Sequence, residues 1–286
     1  KAYEAMLKSA TTEGANNPIR RDIDPYIKDG FIPLWYFSND LSGDNSVSHA
    51  LEYCMADYAI GQLADSLGDK TRAKEFARRA QNYRCYYDKE YGTLRPIGLD
   101  GTFLGDFDPA TGKHFENIPG FHEGSAWNYT FASTHDVEGL ARLMGGKRAY
   151  VDRLQSVFDN GHYDPANEPD IAYPYLFSRF AGEEWRTQKE VKNILDNHYK
   201  NAPDGIPGGY DVGMGGVLDD GYLSRLPGDT LLHHHHTHLR QGEHPHRTGR
   251  SGDLYTPTRQ HLPLHRAHHT RRQTLRLPRQ PPRSCG

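Results

Sequence analysis

The residue pattern of this chain changes sharply near residue 210. Residues 1–207 alternate helix-like stretches with loops rich in Gly, Pro and Asp. Residues 233–286 contain eleven His, ten Arg and six Pro but only two acids, and their apolar residues follow no period. A segment of this composition buries too little apolar surface to offset the entropy of ordering it. We therefore predict a folded part over 1–210 and a disordered His/Arg/Pro-rich tail over 211–286.

The folded part has the pattern of an all-α protein. Apolar residues recur near every 3.6 positions in several stretches, whereas strand signals are nearly absent. A long loop, Gly92–Gly120, interrupts the series. Successive helix pairs suit an (α/α) toroid or a helical solenoid, and the lack of a fixed repeat disfavours the solenoid. The predicted helices are Ser46–Leu67, Lys70–Asp88, Gly124–Met144, Lys147–Asn160, Glu168–Phe180 and Glu184–Tyr199.

Charge and composition exclude some partners. The chain carries 34 Lys+Arg against 37 Asp+Glu, which argues against nucleic acid or a membrane surface as a partner. No run of eighteen apolar residues is present. Cys54 and Cys85 lie in apolar helical patterns, where a buried free thiol is the commoner state, although a bridge between them stays open. Nothing in the pattern indicates an oligomeric state.

Four acid-bearing clusters stand at loop–helix junctions. Cleaving a glycosidic bond with inversion needs two carboxyl groups roughly 6.5–9.5 Å apart, so that a water fits between them and the sugar. Acids delivered from separate loops at one end of a helical toroid can provide this. Taken singly, the acids of each cluster are better explained as helix-terminal, surface or turn residues. The clusters contain Glu52 with Asp57, Glu123 with Trp127, Asn167 with Glu168, and Asp211.

The order and context of these clusters resemble glycoside hydrolase family 92. The stretch SVSHALEY at 46–53 is similar to the family's SVSxTLEYAYDD, with Asp57 on its second Asp. The stretch EGSAWNYTF at 123–131 is similar to EGNAWQYTF. NEP at 167–169, followed by IAYPYL, resembles GNEPxHxIAYLYNY, and WRTQ at 185–188 resembles WKTQ. Each motif alone is weak, but together they are specific to this family.

The resemblance implies a fold and an activity. Members have an N-terminal β-sandwich followed by an (α/α)6 catalytic domain, so this chain is expected to be a fragment of that domain, a partial (α/α)6 toroid. They are secreted and release terminal α-linked mannose with inversion, from mannose-terminated glycans; we expect α-1,2 linkages. A Ca²⁺ at the active site contacts sugar hydroxyls, which fits the preference of calcium for oxygen ligands.

The resemblance also assigns roles to residues. Glu123 matches the general acid, and because that acid must hold its proton near neutral pH, we expect it to be buried, against Trp127. Trp127 is expected to contact substrate. Asn167 and Glu168 match a loop that contributes to the sugar and calcium site. Glu52 and Asp57 match acids that either contact the sugar or support the site.

The general base is where the chain departs from the family. The family reads GNDDxGxMSAW or GDEDGGxMSAF, and here GGYDVG at 208–213 offers one acid, Asp211. Reading the codons of 211–228 one base later permits MSAWGVFSTMGIYPVSPG, close to the family's continuation, and its Trp is forced by Met214-Gly215. We therefore hypothesise that the reading frame is lost between Pro207 and Asp211. Asp211 is the base only if the frame is intact.

Without the sandwich and, in the shifted-frame hypothesis, without the base, the isolated chain is expected to be inactive.

Two alternative functions stay open. The first alternative is a non-catalytic helical carbohydrate-binding or scaffold protein. The second is another (α/α)-toroid glycosidase, such as a glucosidase, against which only the run of motifs argues.

Overall fold

Helices dominate the computed structural model, which describes residues 1–36, 44–113, 116–202 and 205–208. The predicted tail, 211–286, and Asp211 lie outside these residues. Among the described residues, no helix is long and apolar enough to cross a membrane. The α-helices are α1 (Ala2–Thr11), α2 (Ile23–Lys28), α3 (Ser46–Ser66), α4 (Lys70–Arg79), α5 (Ala126–Thr130), α6 (Val137–Met144), α7 (Lys147–Asp159), α8 (Tyr173–Leu176) and α9 (Glu184–His198).

Strand is confined to a short hairpin in the described part of the chain. The antiparallel strands β1 (Tyr87–Asp88) and β2 (Thr93–Leu94) pair Tyr87 with Leu94 and Asp88 with Thr93. Single turns of 3-10 helix fill several connections. The predicted all-α class is therefore confirmed for the residues that the structure describes.

The α3–α4 pair shows how the sequence sets this architecture. Gly68, at φ +83°, follows α3 and reverses the chain, and the Asp69 carboxyl then accepts a hydrogen bond from Arg72 N at the start of α4. Gly61 on α3 faces α4, and a Cβ there would be in van der Waals contact with Ala77 N at 3.4 Å. Similar pairings join α6 to α7 and α8 to α9.

Three predicted helices are wrong in their extent. The stretch Gly124–Met144 is two helices, α5 and α6, because Phe131 N donates to the Tyr173 hydroxyl instead of continuing the ladder. The Asp136 carboxyl then caps α6 by accepting from Gly139 N. Likewise Glu168–Phe180 is the short α8 between two 3-10 turns. Lys70–Asp88 ends as α-helix at Arg79 and continues as a 3-10 turn into β1.

One large hydrophobic cluster holds most of the described helices together, and a smaller one, of Ala10, Ile60 and Phe76, joins α1 and α4 to α3. Aromatic residues dominate it; Tyr26, Tyr83, Tyr86, Tyr150 and Tyr173 are fully buried. Phe131 packs edge-on against both Tyr150 and Tyr173, at ring-centroid distances of 5.1 and 5.4 Å. Cys54 is a buried free thiol, so the Cys54–Cys85 bridge does not form.

The loop before α5 is fastened to the start of α3. Gly120 O accepts hydrogen bonds from Val47 N and Ser48 N at 3.0 and 3.2 Å. Gly120 has φ +89°, and a Cβ there would lie 2.5 Å from Pro96 Cγ, so only glycine fits this contact. His122 N also donates to Ser48 Oγ at 3.0 Å. These bonds bring the Glu123 turn onto the first turn of α3.

Candidate active site

Three segments that are distant in sequence meet at one place. They are the first turns of α3, the turn that holds Glu123, and the loop 161–170 that precedes α8. The Tyr129 hydroxyl marks the meeting point by donating to His122 O. Burial raises the pKa of Tyr129 to about 12, and the negative charges of Asp170, Glu52 and Glu123 add to the rise. The carboxyl groups of all three segments therefore lie within electrostatic reach of one hydroxyl.

The Glu123 backbone adopts a left-handed conformation, φ 51°, which is uncommon for a residue with a side chain. Both sides of its peptide are held by asparagines. Glu123 N donates to Asn117 Oδ1 at 3.1 Å, and Asn167 Nδ2 donates to Glu123 O at 2.6 Å. Gly124 follows in close contact with Asn128 and Asn167. The turn thus fixes the direction in which the Glu123 carboxyl leaves the backbone.

The burial expected for Glu123 is not found in the described residues. Its side chain is 34% exposed, and its carboxyl lies 3.6 Å from the half-exposed ring of His122. Trp127 does not cover the Glu123 carboxyl. That indole is only 8% exposed and stacks on His162 with ring centroids 4.8 Å apart and planes 4° from parallel. The Arg153 guanidinium carbon lies 5.4 Å from the same ring, so Trp127 is packed mainly against its own chain.

The carboxyl groups of Glu52 and Glu168 lie within electrostatic reach of each other at this site. Partial burial of the Glu52 carboxyl raises its pKa, and the negative charge of Glu168 raises it further, while His49 opposes the rise. Both residues as a whole are exposed. Two carboxyl groups that repel each other are suited to accept hydrogen bonds from hydroxyl groups or to share a cation.

Asp57 is separate from this group. It lies on the buried face of α3, where its carboxyl binds Arg20 and Arg79. The structure therefore places Asp57 in a buried ion-pair cluster, and of its two predicted roles only support of the site fits this position.

Asp170 is a buried acid that ends the acid-bearing stretch 166–170, and the family motifs assign it no role. It is 0% exposed, and burial raises the pKa of its carboxyl well above the ordinary value. Its Oδ2 accepts from Asn128 Nδ2 at 2.7 Å and from Asp164 N at 3.0 Å. Asp170 therefore joins α5 to the 161–170 loop.

The Asp22–His49 pair is a second group that the motifs do not reveal, because Asp22 precedes the first family motif, at 46–53. His49 Nδ1 lies 2.7 Å from Asp22 Oδ2, and the Tyr53 hydroxyl donates to the other oxygen. Hydrogen bonding to Asp22 raises the pKa of His49. The pKa of Asp22 is lowered, because the bonds to His49 and Tyr53 together outweigh its burial. The pair thus favours an imidazolium beside Glu52.

We expect His49→Gln to destabilise the chain in a pH-dependent way. Because the pKa of His49 is raised on folding, the stabilisation is complete below the unfolded value near 6.5 and is lost as pH rises through the folded value. Since the His49 side chain is 48% exposed, we expect about 0.5–1 kcal/mol at pH 5.5 and little at pH 9. Urea unfolding of both proteins at the two pH values measures this, and an equal difference at both would contradict it.

A calcium ion finds only part of a coordination shell in the described residues. Asn167 is 4% exposed and uses Nδ2 on Glu123 O, which leaves its Oδ1 as a ligand atom; the Glu168 carboxylate is the other predicted ligand. No group of three or more His, Cys, Asp or Glu among the described residues is arranged to hold a metal. Calcium takes six to eight oxygens, so these two fit as a portion of a site.

Comparisons with known proteins identify the family. The model of the glycosyl hydrolase family 92 catalytic domain matches residues 1–216. An uncharacterized secreted glycosidase from Arthroderma benhamiae is 26% identical over 238 residues, which is 75% of this chain and 30% of that protein.

Solved structures agree with this assignment. This chain is similar to a family GH92 α-mannosidase from Bacteroides thetaiotaomicron in complex with mannoimidazole. The match has a TM-score of 0.66 at 28% identity and covers 76% of this chain and 29% of the mannosidase chain. A family GH92 inverting mannosidase from Bacteroides thetaiotaomicron VPI-5482 matches 74% of this chain and 31% of its own, with a TM-score of 0.63 at 28% identity. The chain therefore spans about a third of the length of these relatives, and the helices are a partial toroid, as predicted. This chain belongs to glycosyl hydrolase family 92.

Proposed function

We propose that this chain supplies the acid-bearing part of an exo-α-mannosidase, which releases terminal α-linked mannose from mannose-terminated glycans with inversion. The observation that supports this most is the meeting of Glu52, Glu123 and Glu168 at one place, delivered by three separate family motifs. The likeness to two solved mannosidase structures supports the proposed substrate class. We also propose the α-1,2 linkage and a secreted location, the latter because the fungal relative is called secreted.

Glu123 acts in this proposal as the general acid. Its carboxyl gives a proton to the glycosidic oxygen while the bond between that oxygen and the anomeric carbon breaks, and the leaving alcohol departs with the proton. A water molecule, deprotonated by a general base, attacks the anomeric carbon from the opposite face, so the configuration inverts. Glu52 and Glu168 accept hydrogen bonds from sugar hydroxyls. Trp127 supports the pocket from within the chain.

The general base is the part of the mechanism that the described residues do not supply. Asp211 is a base only if the reading frame runs intact through Pro207, and it lies outside the described residues. We propose that the frame is lost there and that the 286-residue chain is inactive by itself. Sequencing the gene across codons 200–230, with peptides from the tail, tests this; an intact frame would contradict it.

Calcium belongs to the same proposal. Asn167 Oδ1 and the Glu168 carboxylate would hold it, with the remaining oxygens coming from residues beyond those described. Bound there, the ion would neutralise carboxylate charge and bind sugar hydroxyls. The mutual repulsion of Glu52 and Glu168 supports a cation in this place.

A hybrid enzyme tests the proposed activity. Residues 1–208 of this chain replace the matching segment of the Bacteroides inverting mannosidase, so that the host supplies the base and all remaining parts. We expect the hybrid to release mannose from α-mannosides, to yield β-mannose first, and to leave α-glucosides and β-mannosides intact. A folded hybrid that cleaves α-glucosides instead would favour the glucosidase alternative. A folded hybrid that cleaves none of them would favour the carbohydrate-binding alternative.

A further inference from the structure

The Glu123 turn depends on a chain of buried hydrogen bonds that begins at Asp170. The left-handed backbone conformation of Glu123 must be stabilised by neighbouring groups, because it is unfavourable for a residue with a side chain. Asn167 fixes it by donating to Glu123 O at 2.6 Å. The position of Asn167 therefore decides the position of the Glu123 peptide.

Asp170 fixes the loop that carries Asn167. The Oδ2 atom of Asp170 accepts a hydrogen bond at 3.0 Å from the backbone N–H of Asp164, which lies three residues before Asn167. The backbone N–H of Asp170 donates to Asn167 O at 3.3 Å. Asn167 N in turn donates to Asp164 O at 3.1 Å. These bonds close the loop into one turn around the buried carboxyl.

The same carboxyl also fixes the helix on the other side of Glu123. Asn128 Nδ2 donates both to Asp170 Oδ2, at 2.7 Å, and to His162 O, at 3.1 Å. Asn128 Oδ1 accepts from Ser125 N and from Ser125 Oγ, each at 2.8 Å, and so sets the start of α5. Glu123 lies two residues before Ser125, so its carbonyl group, held by Asn167, and the segment that follows it, held by Asn128, are both fixed by groups that meet at Asp170.

We propose that Asp170 is a positioning residue for Glu123: its buried carboxyl joins the 161–170 loop to α5 and thereby sets the geometry of the acid. The proposal rests on the proposed function for the role of Glu123, but its structural part stands on the bonds alone. An amide at position 170 offers one carbonyl oxygen to both donors, whereas a methyl group offers none. Asp170→Asn and Asp170→Ala are therefore a matched pair.

Hydrogen exchange in the 286-residue chain tests the structural part. In Asp170→Ala we expect the amide of Asp164, which loses its acceptor, to exchange at least about tenfold faster, the effect of losing one ordinary hydrogen bond. The amides of Glu123 and Ser125 keep their own acceptors and should exchange faster because the turn that holds them loosens. Amides in the α3–α4 pair should be unchanged. Asp170→Asn should restore wild-type exchange at the same three positions. If the alanine variant does not fold, Asp170→Ser, which keeps a small polar group, takes its place.

The hybrid enzyme adds a readout that a purely structural role would not move. There we expect Asp170→Ala to lower kcat on the order of 10²-fold with KM nearly unchanged, because a misplaced acid weakens chemistry more than binding. Faster exchange confined to Asp164, with Glu123 and Ser125 as in the wild type, would overturn the proposal. If the hybrid with Asp170 intact is inactive while the 286-residue chain shows the expected exchange pattern, the result would contradict the proposed function but not the structural role of Asp170.

Discussion

Replacing Asp57 with alanine is expected to lower the free energy of unfolding by about 3–5 kcal/mol, the usual loss when one partner of a buried ion pair is removed. Asp57 Oδ1 lies 3.0 Å from Arg20 Nη1, and its Oδ2 lies 2.7 Å from Arg79 Nε. The Tyr26 hydroxyl also donates to Oδ2, at 3.2 Å. The variant would leave two guanidinium groups buried, with side-chain exposures of 7% and 1%, without this counter-charge.

A surface pair in the same region is the control. Asp65 and Lys70 lie 2.7 Å apart, but their side chains are 59% and 66% exposed. Asp65→Ala should therefore change the stability by no more than about 1 kcal/mol. Chemical denaturation of both variants measures the difference. Equal effects would contradict the conclusion that Asp57 holds α3, α4 and the segment before α2 together.

In the hybrid enzyme, Glu123→Gln is expected to lower kcat about 10²–10⁴-fold on natural α-mannosides, the usual contribution of a positioned acid. The amide keeps the size of the side chain and has no proton to give. Because the Glu123 backbone is held through its N–H and its carbonyl, the substitution should leave the turn in place. Unchanged thermal unfolding of the variant would show that the loss is chemical.

The matched control is Glu138→Gln. Glu138 forms a surface pair with Arg179, in which both side chains are 49% exposed, and it lies on α6. We expect this variant to keep its activity. A similar loss in both variants would show that the assay reports on folding and not on the acid.

The family motifs named candidate acids for the site but not their packing partners. Glu52, Glu123 and Glu168 belong to three separate motifs; Glu52 lies within electrostatic reach of Glu168, and Glu52 and Glu123 both lie within reach of the Tyr129 hydroxyl. The expected burial of Glu123 against Trp127 is not found, because the Trp127 ring is packed against His162. A motif gives the order of residues along the chain, and packing partners come from elsewhere in the fold.

Groups outside the motifs were missed for the same reason. Asp22 lies ahead of the first family motif, at 46–53, and no local pattern links it to His49, 27 residues away. The hydrophobic pattern also predicted an uninterrupted helix through Phe131. The hydrogen bond that interrupts it, from Phe131 N to the Tyr173 hydroxyl, joins residues 42 positions apart and leaves no local signal. Hydrophobic periodicity reports which face of a helix is buried, and it cannot report where a distant side chain ends that helix.

The dependence of the Glu123→Gln hybrid on the leaving group tests the central claim most directly. A dinitrophenyl α-mannoside needs no proton on its leaving oxygen, whereas an alkyl or sugar leaving group does. If Glu123 is the general acid, the variant should keep nearly the full rate of bond cleavage on the dinitrophenyl substrate and lose about 10²–10⁴-fold on α-1,2-mannobiose. An equal loss on both substrates would contradict this role and would make Glu123 a structural or binding residue.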